Sequence, residues 1–199
     1  MIDRNLSLAI DEVDNGLDDH APTRRPGVSG VAAETVESFK GAFRRHPAGV
    51  AVITADPGDG PVGLTATSVF SVSAEPPLVA FSVSRQSSAA PSILRSSSVV
   101  VHLVESISIE VARLCATSGI DRFADTTRWS RFDSGEPYFL GVGTLIKARI
   151  AKRVSAGGSV ILVAEAIDTI SMPDGDSETS PLVYHDRSWH ELTDKSRIE

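Results

Sequence analysis

The sequence predicts a mainly β fold, in which antiparallel strands form a closed or nearly closed barrel and two or three helices pack outside it. Short apolar runs typical of buried strands recur along the 199 residues, six or seven of them in all. The segments between several of these runs are short and rich in Gly, Pro and Asp, which is the chemistry of hairpin turns. Strands and helices do not alternate regularly, so a doubly wound parallel sheet is disfavoured.

The N-terminal half of the predicted domain begins with a helix from Glu34, because Val36, Phe39 and Phe43 recur on one helical face. Pro47 and Gly49 end this helix. The segments that follow are a buried strand, a turn, two further strands and a short helix, predicted at 49–54, 56–61, 64–68, 78–83 and 88–94.

In the C-terminal half a helix follows another buried strand. Its apolar stripe contains Ile107, Val111, Leu114 and Cys115, and Gly119 ends it. Arg113 lies off this stripe, so it points either to solvent or to a ligand. The segment 121–138 is predicted to be a loop and 172–180 an acidic surface loop. The remaining strands are predicted at 98–104, 144–154, 160–170, 181–185 and 188–192.

Composition excludes several classes of function. The net charge is −7 and no Lys or Arg stripe is present, so no nucleic-acid partner is expected. No apolar run approaches the roughly 20 residues of a membrane span, and the acidic N-terminus does not resemble a signal peptide. Cys115 is the one cysteine, which fits a reducing compartment, and a cytoplasmic protein is therefore expected. Residues 1–30 are predicted to be a mobile acidic tail, and residues 31–195 the folded domain.

Familiar catalytic and nucleotide-binding motifs are missing from the sequence. The pair Gly141 and Gly143 lacks the third glycine and the following helix of a dinucleotide fingerprint. The sequence contains neither a phosphate-binding loop ending in Gly-Lys-Ser/Thr nor a Gly-x-Ser-x-Gly elbow. His185 and His190 lie five residues apart across a predicted turn and the other His residues are scattered, so no metal site is expected.

Two neighbouring stretches are better candidates for a binding site. From Gly63 to Ser68 small and hydroxyl side chains replace bulky ones, which indicates that something lies against this strand. The loop 84–88 contains three Ser residues and Arg85, which can hold a phosphate; a solvated loop is the alternative.

Three further residues have alternative interpretations. Cys115 is predicted to be a core thiol rather than a nucleophile. His102 is predicted to be a core residue with one hydrogen bond, with ligand contact as the alternative. Trp189 is predicted to be a packing anchor rather than a substrate platform. No group of residues supplies an acid, a base and a nucleophile together, so a cofactor is expected to carry the chemistry.

Five segments of the chain resemble the short-chain flavin reductases, the NAD(P)H:FMN oxidoreductases that supply two-component monooxygenases. These segments are 39–54 (FKGAFRRHPAGVAVIT), 60–68 (GPVGLTATS), 71–79 (SVSAEPPLV), 122–124 (RFA) and 181–185 (PLVYH). The similarity covers residues 35–192 with the motifs in the expected order, and it is strongest to the branch that serves sulfur and aromatic-compound monooxygenases.

The resemblance implies a fold and a function. The fold is the FMN-binding split barrel, a Greek-key-like antiparallel barrel that forms a homodimer. The implied activity is reduction of FMN, with FAD as an alternative, by NADH or NADPH, through hydride transfer to flavin N5. The implied partner is a flavin-dependent monooxygenase that receives the reduced flavin, and no metal is required.

The resemblance also implies site residues. It implies catalytic positions at Ser159 and His185, and it places the nicotinamide near Tyr184 and His185. The remaining implied flavin-binding residues are Pro61, Val62, Gly63, Leu64, Thr65, Thr67, Ser68, Ser82, Val83, Ser84, Arg85, Ser87, Ser88, Ala89, Arg113 and Leu114.

The chain departs from the family pattern at two places. Ser159 stands where relatives commonly have the His of Gly-Asp-His-Thr, a change that bears on nicotinamide handling and turnover. Ala89 and Ala90 replace a Thr-His pair in the phosphate loop, which predicts weaker phosphate binding. Two alternatives to a reductase follow: a flavin-binding module without turnover, and a flavin enzyme that acts on an organic substrate.

Overall fold

A computed structural model describes residues 32–171 and 179–198. The chain divides at residue 38 into two units: a short N-terminal one, described from residue 32, and the main one from Phe39 onward. The predicted tail, 1–30, lies outside the described residues, as do positions 172–178 of the predicted acidic loop. Among the described residues, no helix combines the length and apolar character that crossing a membrane requires.

Helices and strands form close to the positions that the sequence pattern predicts. The helices are α1 (Ala33–Arg44), α2 (Ala90–Arg95) and α3 (Ile109–Ala116). The first six strands are β1 (Ala48–Gly49), β2 (Ala51–Ala55), β3 (Val62–Ala66), β4 (Phe70–Ala74), β5 (Pro77–Ser84) and β6 (Ser98–Leu103). The remaining strands are β7 (Trp129–Arg131), β8 (Pro137–Phe139), β9 (Thr144–Ala156), β10 (Ser159–Ser171), β11 (Leu182–His185) and β12 (Ser188–Glu191).

The main sheet has seven antiparallel strands in the order β3-β2-β6-β9-β10-β5-β4. Smaller sheets combine β1 with β11 and β12, and β7 with β8. The mainly β class and the antiparallel pairing that the sequence predicts are therefore confirmed, together with three helices.

One end of the main sheet, at β3, meets β5 through a side chain rather than through a ladder of backbone hydrogen bonds. Just after β3, the Ser68 hydroxyl accepts the Ser82 N–H at 3.0 Å and donates to the Ser82 carbonyl at 3.3 Å. Ser82 lies in β5, which pairs with β10 and β4 but not with β3. The sheet therefore curves back on itself and leaves a split between β3 and β5.

Alternate residues of the strands fill the interior of the barrel. Ile53, Phe81 and Leu162 come from three different strands and are fully buried in the same apolar cluster. Ala90 and Ile93 of α2 belong to that cluster too, so this short helix packs against the interior of the barrel. Burial of this apolar surface is the main favourable contribution to the stability of the barrel.

A second apolar cluster covers the outer face of the barrel, and His102 lies buried beneath it. The His102 ring bonds the Val52 carbonyl through Nδ1 and accepts the Phe139 N–H at Nε2, both at 3.0 Å. Burial lowers the pKa of His102 from 6.5 to about 4, so the ring is neutral at pH 7. The prediction that His102 is a core residue is confirmed, with two hydrogen bonds instead of one.

The structure corrects the prediction of a loop over residues 121–138. Strands β7 and β8 form a small hairpin within that segment, and the pattern of three-residue strands is too short to detect in sequence. Distant residues hold the hairpin in place: the Thr54 hydroxyl donates to the Pro137 carbonyl and His102 accepts the Phe139 N–H. Tertiary contacts rather than local sequence thus determine these strands.

Candidate functional site

A groove of about 280 Å³ lies along the split between β3 and β5. It is lined by the end of β3 with the two residues after it, by the end of β5, by the turn that follows β5, and by the first residue of β10. Its lining residues are Leu64, Thr65, Ala66, Thr67, Ser68, Ser82, Val83, Ser84, Ser87 and Ser159. The structure therefore brings nine of the residues that the family resemblance implies into one place.

Several hydroxyls of the groove are already engaged within the protein. Thr65 donates to the Ala112 carbonyl of α3 at 2.6 Å, and Ser68 bonds the backbone of Ser82. In the turn after β5, the Ser84 hydroxyl accepts the Gln86 N–H at 3.3 Å. These side chains shape the groove, and Thr65 and Ser68 have limited capacity left for a ligand.

Three other hydroxyls are free to bind a ligand. Within the described part of the chain, the side chains of Thr67, Ser82 and Ser159 make no hydrogen bond. Ser159 pairs directly across from Ser84 at the start of the β10–β5 ladder, so it stands on the same rim as the turn. A hydroxyl both donates and accepts, so this set can meet a ligand edge that carries donors and acceptors in alternation.

The turn that follows β5, residues 84–89, is ordered by backbone bonds; we call it the serine turn. The Ser87 N–H donates to the Ser84 carbonyl, and the Arg85 N–H donates to the Gly158 carbonyl, each at 3.0 Å. The guanidinium of Arg85 is held by the Ser155 hydroxyl at 3.0 Å and remains exposed. Ser88 is exposed as well, whereas Ala89 is buried at the start of α2. This turn can receive an anionic group at one end of the groove.

The small size of Gly63 has an explanation inside the protein. A Cβ at this position would lie 3.3 Å from Cys115 Sγ and 3.5 Å from Thr54 Cγ2. Helix α3 therefore packs directly against the backbone of β3. Pro61 and Val62 precede this point and do not line the groove, and Val62 packs against the interior cluster.

Four residues that the resemblance assigns to the site lie elsewhere in the single chain. Arg113 is exposed on α3 and pairs with Glu110 at 2.7 Å, and Leu114 packs in the outer cluster. Tyr184 packs edge-on against Trp189 at 4.8 Å between ring centroids, and His185 faces His190 at 5.7 Å. These residues belong to α3 and to the terminal β11–β12 hairpin, and they do not line the groove.

The described residues that line the groove carry hydroxyl, methyl and backbone groups but no side chain that titrates near neutral pH. Burial raises the pKa of the Cys115 thiol to about 12, so the prediction of an inert core thiol is confirmed. The described part of the chain also contains no cluster of His, Cys, Asp and Glu suited to a metal ion. Such a groove can bind and orient a ligand, and the described residues that line it include no ionisable side chain to activate its hydroxyls.

The donor set of the groove fits a flat heterocycle with a polar edge. Thr67 and Ser82 both line the groove with free hydroxyls, and the edge of β3 that does not pair with β2 carries free backbone N–H and C=O groups. Leu64 and Val83 contribute apolar surface. Ala66 also lines the groove; it is not among the residues that the resemblance implies, but it lies within the small-residue stretch 63–68 that the sequence indicates.

The chain matches known proteins over the region that contains this groove. Residues 43–193 match the family model of the flavin reductase like domain. A relative from Rhodococcus erythropolis, named NADH:FMN oxidoreductase, is 36% identical over 155 residues, which are 78% of this chain and 81% of that protein.

Two solved structures are similar to the present one. The flavin reductase domain protein from Arthrobacter sp. FB24 has a TM-score of 0.74 and 32% identity, covering 79% of this chain and 96% of that chain. The flavin reductase component of a bacterial two-component tryptophan halogenase has a TM-score of 0.69 and 27% identity, covering 80% and 99%. The overall fold is therefore shared with solved flavin reductase structures.

Proposed function

The chain belongs to the flavin reductase-like domain family, and from this premise we propose that it is an NAD(P)H-dependent flavin reductase that acts on FMN. The observation that carries the proposal is the groove at the barrel split, with free hydroxyls at Thr67, Ser82 and Ser159 and the serine turn at one end. The relative named NADH:FMN oxidoreductase, at 36% identity, supports the choice of FMN and NADH.

The residues of the groove would hold the flavin by its edge and its phosphate. Thr67 and Ser82 would donate to or accept from the polar edge of the ring, and Leu64 and Val83 would pack against its face. Arg85, Ser87 and Ser88 would bind the phosphate through charge-assisted hydrogen bonds. A groove of about 280 Å³ is near the lower limit of ligand pockets, about 300 Å³, which suits a flavin that is held loosely and released.

When bound, FMN would supply the redox chemistry as the acceptor of the hydride that NAD(P)H provides. The protein contributes alignment of the two rings and a fixed polar environment, and neither task needs an ionisable residue. Ser159 stands at the rim with a free hydroxyl and would orient the reacting edge of the ring. This division of labour explains why no catalytic triad or dyad lines the groove.

We further propose that the working unit is a homodimer. Strand β4 is one of the two edge strands of the main sheet, and its Phe70 and Val72 side chains are 57% and 48% exposed. An exposed apolar edge strand is normally covered by another element or chain. A homodimer would elute with twice the 21.1 kDa mass of one chain in size-exclusion chromatography with light scattering; a mass of 21.1 kDa would contradict the proposal.

The receiving partner in this proposal is a flavin-dependent monooxygenase. One solved relative is described as the flavin reductase component of a two-component tryptophan halogenase, which supports a role as the reductase half of a pair. A monooxygenase mixed with this protein, FMN and NADH should form oxygenated product, and omission of this protein should abolish product formation.

The activity is tested directly by mixing the purified protein with FMN and either NADH or NADPH. The proposal predicts loss of absorbance at 340 nm at a rate that rises with FMN concentration. No loss with either nicotinamide cofactor would contradict the reductase function.

A second function is favoured by Ser159, which is the residue of β10 that lines the groove and which, by the family resemblance, replaces a His common in relatives. In this alternative the protein binds flavin without turnover and acts as a carrier, sensor or partner subunit. Tight FMN binding without NAD(P)H oxidation would support this alternative over the reductase. A third function, oxidation or reduction of an organic substrate, would be detected by product analysis.

A further inference from the structure

The tip of the β9–β10 hairpin, residues 153–159, holds the segment 84–96 in several places. The Gly158 carbonyl accepts the Arg85 N–H, and the Ser155 hydroxyl accepts from the Arg85 guanidinium, each at 3.0 Å. Ser159 then lines the groove itself. The hairpin tip therefore contributes one lining residue and fixes the start of the serine turn.

Arg153 binds the other end of the segment 84–96. Its Nε donates to the Leu94 carbonyl at 2.9 Å, and its Nη2 donates to the Ser96 carbonyl. These are carbonyls at the C-terminal end of α2, where helix carbonyls lack partners and a cation is favourable. A guanidinium can bind two carbonyls at once because its N–H groups are arranged as a rigid fork.

Helix α2 links the contacts of Arg153 to the groove, because the helix is so short that contacts at its C-terminus affect the serine turn at its N-terminus. It spans six residues, from Ala90 to Arg95, and the serine turn leads directly into it through Ala89. The Ala90 N–H donates to the Ser87 carbonyl at 3.0 Å, and Ile93 anchors the helix in the barrel interior. A helix of under two turns has little stability of its own, so capping at its C-terminus affects the order of its N-terminus.

We propose that Arg153 is a positioning residue for the flavin site: by capping α2 it holds the serine turn in the geometry that receives the phosphate of FMN. This inference rests on the proposed function for the identity of the ligand. The positioning itself is a property of the chain and can be measured without flavin. Arg153 does not line the groove, so its effect on binding would pass through α2 and the turn.

The test compares Arg153→Gln with Lys152→Gln. Lys152 is the adjacent exposed residue on β9, so the control removes the same charge from the same strand without touching α2. The first readout is hydrogen–deuterium exchange without flavin. Amides of 87–96 should exchange at least tenfold faster in Arg153→Gln than in the wild type and the control. Equal exchange in all three proteins would overturn the proposal, whatever the ligand.

The second readout is flavin affinity and steady-state kinetics. Arg153→Gln should raise the KM and Kd for FMN about five- to tenfold while kcat and the KM for NADH stay within twofold, and Arg153→Lys should restore part of the affinity. A lower melting temperature with unchanged FMN affinity would assign Arg153 a structural role alone and overturn the proposal. If wild-type protein binds no FMN, the proposed function fails, and the exchange result still decides whether Arg153 orders the turn.

Discussion

The groove and the outer apolar cluster of the barrel differ in their residue types: the side chains that are usually reactive in enzymes lie at the cluster and not in the groove. The residue types that carry chemistry in many enzymes are found in the outer cluster, which contains Cys115, and beneath it at His102, yet both side chains are buried. The groove is lined by Ser, Thr, Ala, Leu and Val, yet it offers free hydroxyls and an open volume of about 280 Å³ to a ligand. A protein that borrows its chemistry from a cofactor needs shape and hydrogen bonds at its site, and its reactive side chains are free for structure.

The largest expected effect is on the free energy of unfolding and concerns His102, the buried residue beneath the outer cluster. The folded-state pKa of His102, about 4, is below the ordinary value of 6.5, so the unfolded chain binds the additional proton between these pH values. The contribution of His102 to stability is full above pH 6.5 and is lost as the pH falls toward 4, by about 3 kcal/mol at most. Urea unfolding at pH 7.5 and pH 5 would measure this loss.

His102→Gln is the matched variant for that measurement, because its amide keeps a donor and an acceptor but does not titrate. The variant should be less stable at pH 7.5 and should lose less stability on acidification than the wild type. The same loss in both proteins would show that His102 is not the titrating group.

The next effect concerns the groove itself. Thr67→Trp places a large ring in the split from an exposed position, so it should weaken FMN binding at least about 100-fold, or about 2.7 kcal/mol, with little change in melting temperature. Quenching of flavin fluorescence on titration would give the Kd. Ser118→Trp, at an exposed position after α3, is the control; equal affinities for the two variants would place the flavin elsewhere.

A smaller effect distinguishes a groove hydroxyl that is bonded within the protein from the hydroxyls that are free to bind a ligand. Thr65→Val removes the hydroxyl that donates to the Ala112 carbonyl, so the free energy of unfolding should fall by about 1–2 kcal/mol. FMN affinity should stay within about twofold, because that hydroxyl is engaged with α3 rather than with the groove. A large loss of affinity with unchanged stability would break the distinction between engaged and free hydroxyls.

The smallest effect is expected at a free hydroxyl. Ser159→Ala should weaken FMN binding by about three- to tenfold, equivalent to about one neutral hydrogen bond, and leave the unfolding free energy unchanged. Isothermal titration of wild type and variant would show the difference. Unchanged affinity together with normal turnover would remove Ser159 from the site.

The sequence predicts the main strands well because a short apolar run bounded by turn residues is a local signal, and it predicts the serine turn from its composition. It does not predict that Thr65 would bond Ala112, since the partner lies 47 residues away and depends on how α3 packs. The role of Gly63 is missed for the same reason: its neighbour is Cys115 of α3 rather than a ligand. The β7–β8 hairpin likewise depends on distant hydrogen bonds, here from His102.

The resemblance adds residues to the site that neither composition nor spacing could supply. Within one chain, some of these residues line the groove and others do not. Thr67, Ser82, Ser87 and Ser159 converge on the groove. His185 lies on the terminal hairpin and does not line it. Its assigned role near the nicotinamide therefore stays a prediction, because sequence motifs fix the order of residues but not the distance between elements.

The central claim, that the split between β3 and β5 is a flavin site, is tested most directly by a crystal structure of the protein soaked with FMN. We expect the ring along Leu64–Ser68, with its polar edge at Thr67 and Ser82 and its phosphate at Arg85 and Ser87. An empty groove at saturating FMN, or a flavin bound elsewhere on the barrel, would contradict it.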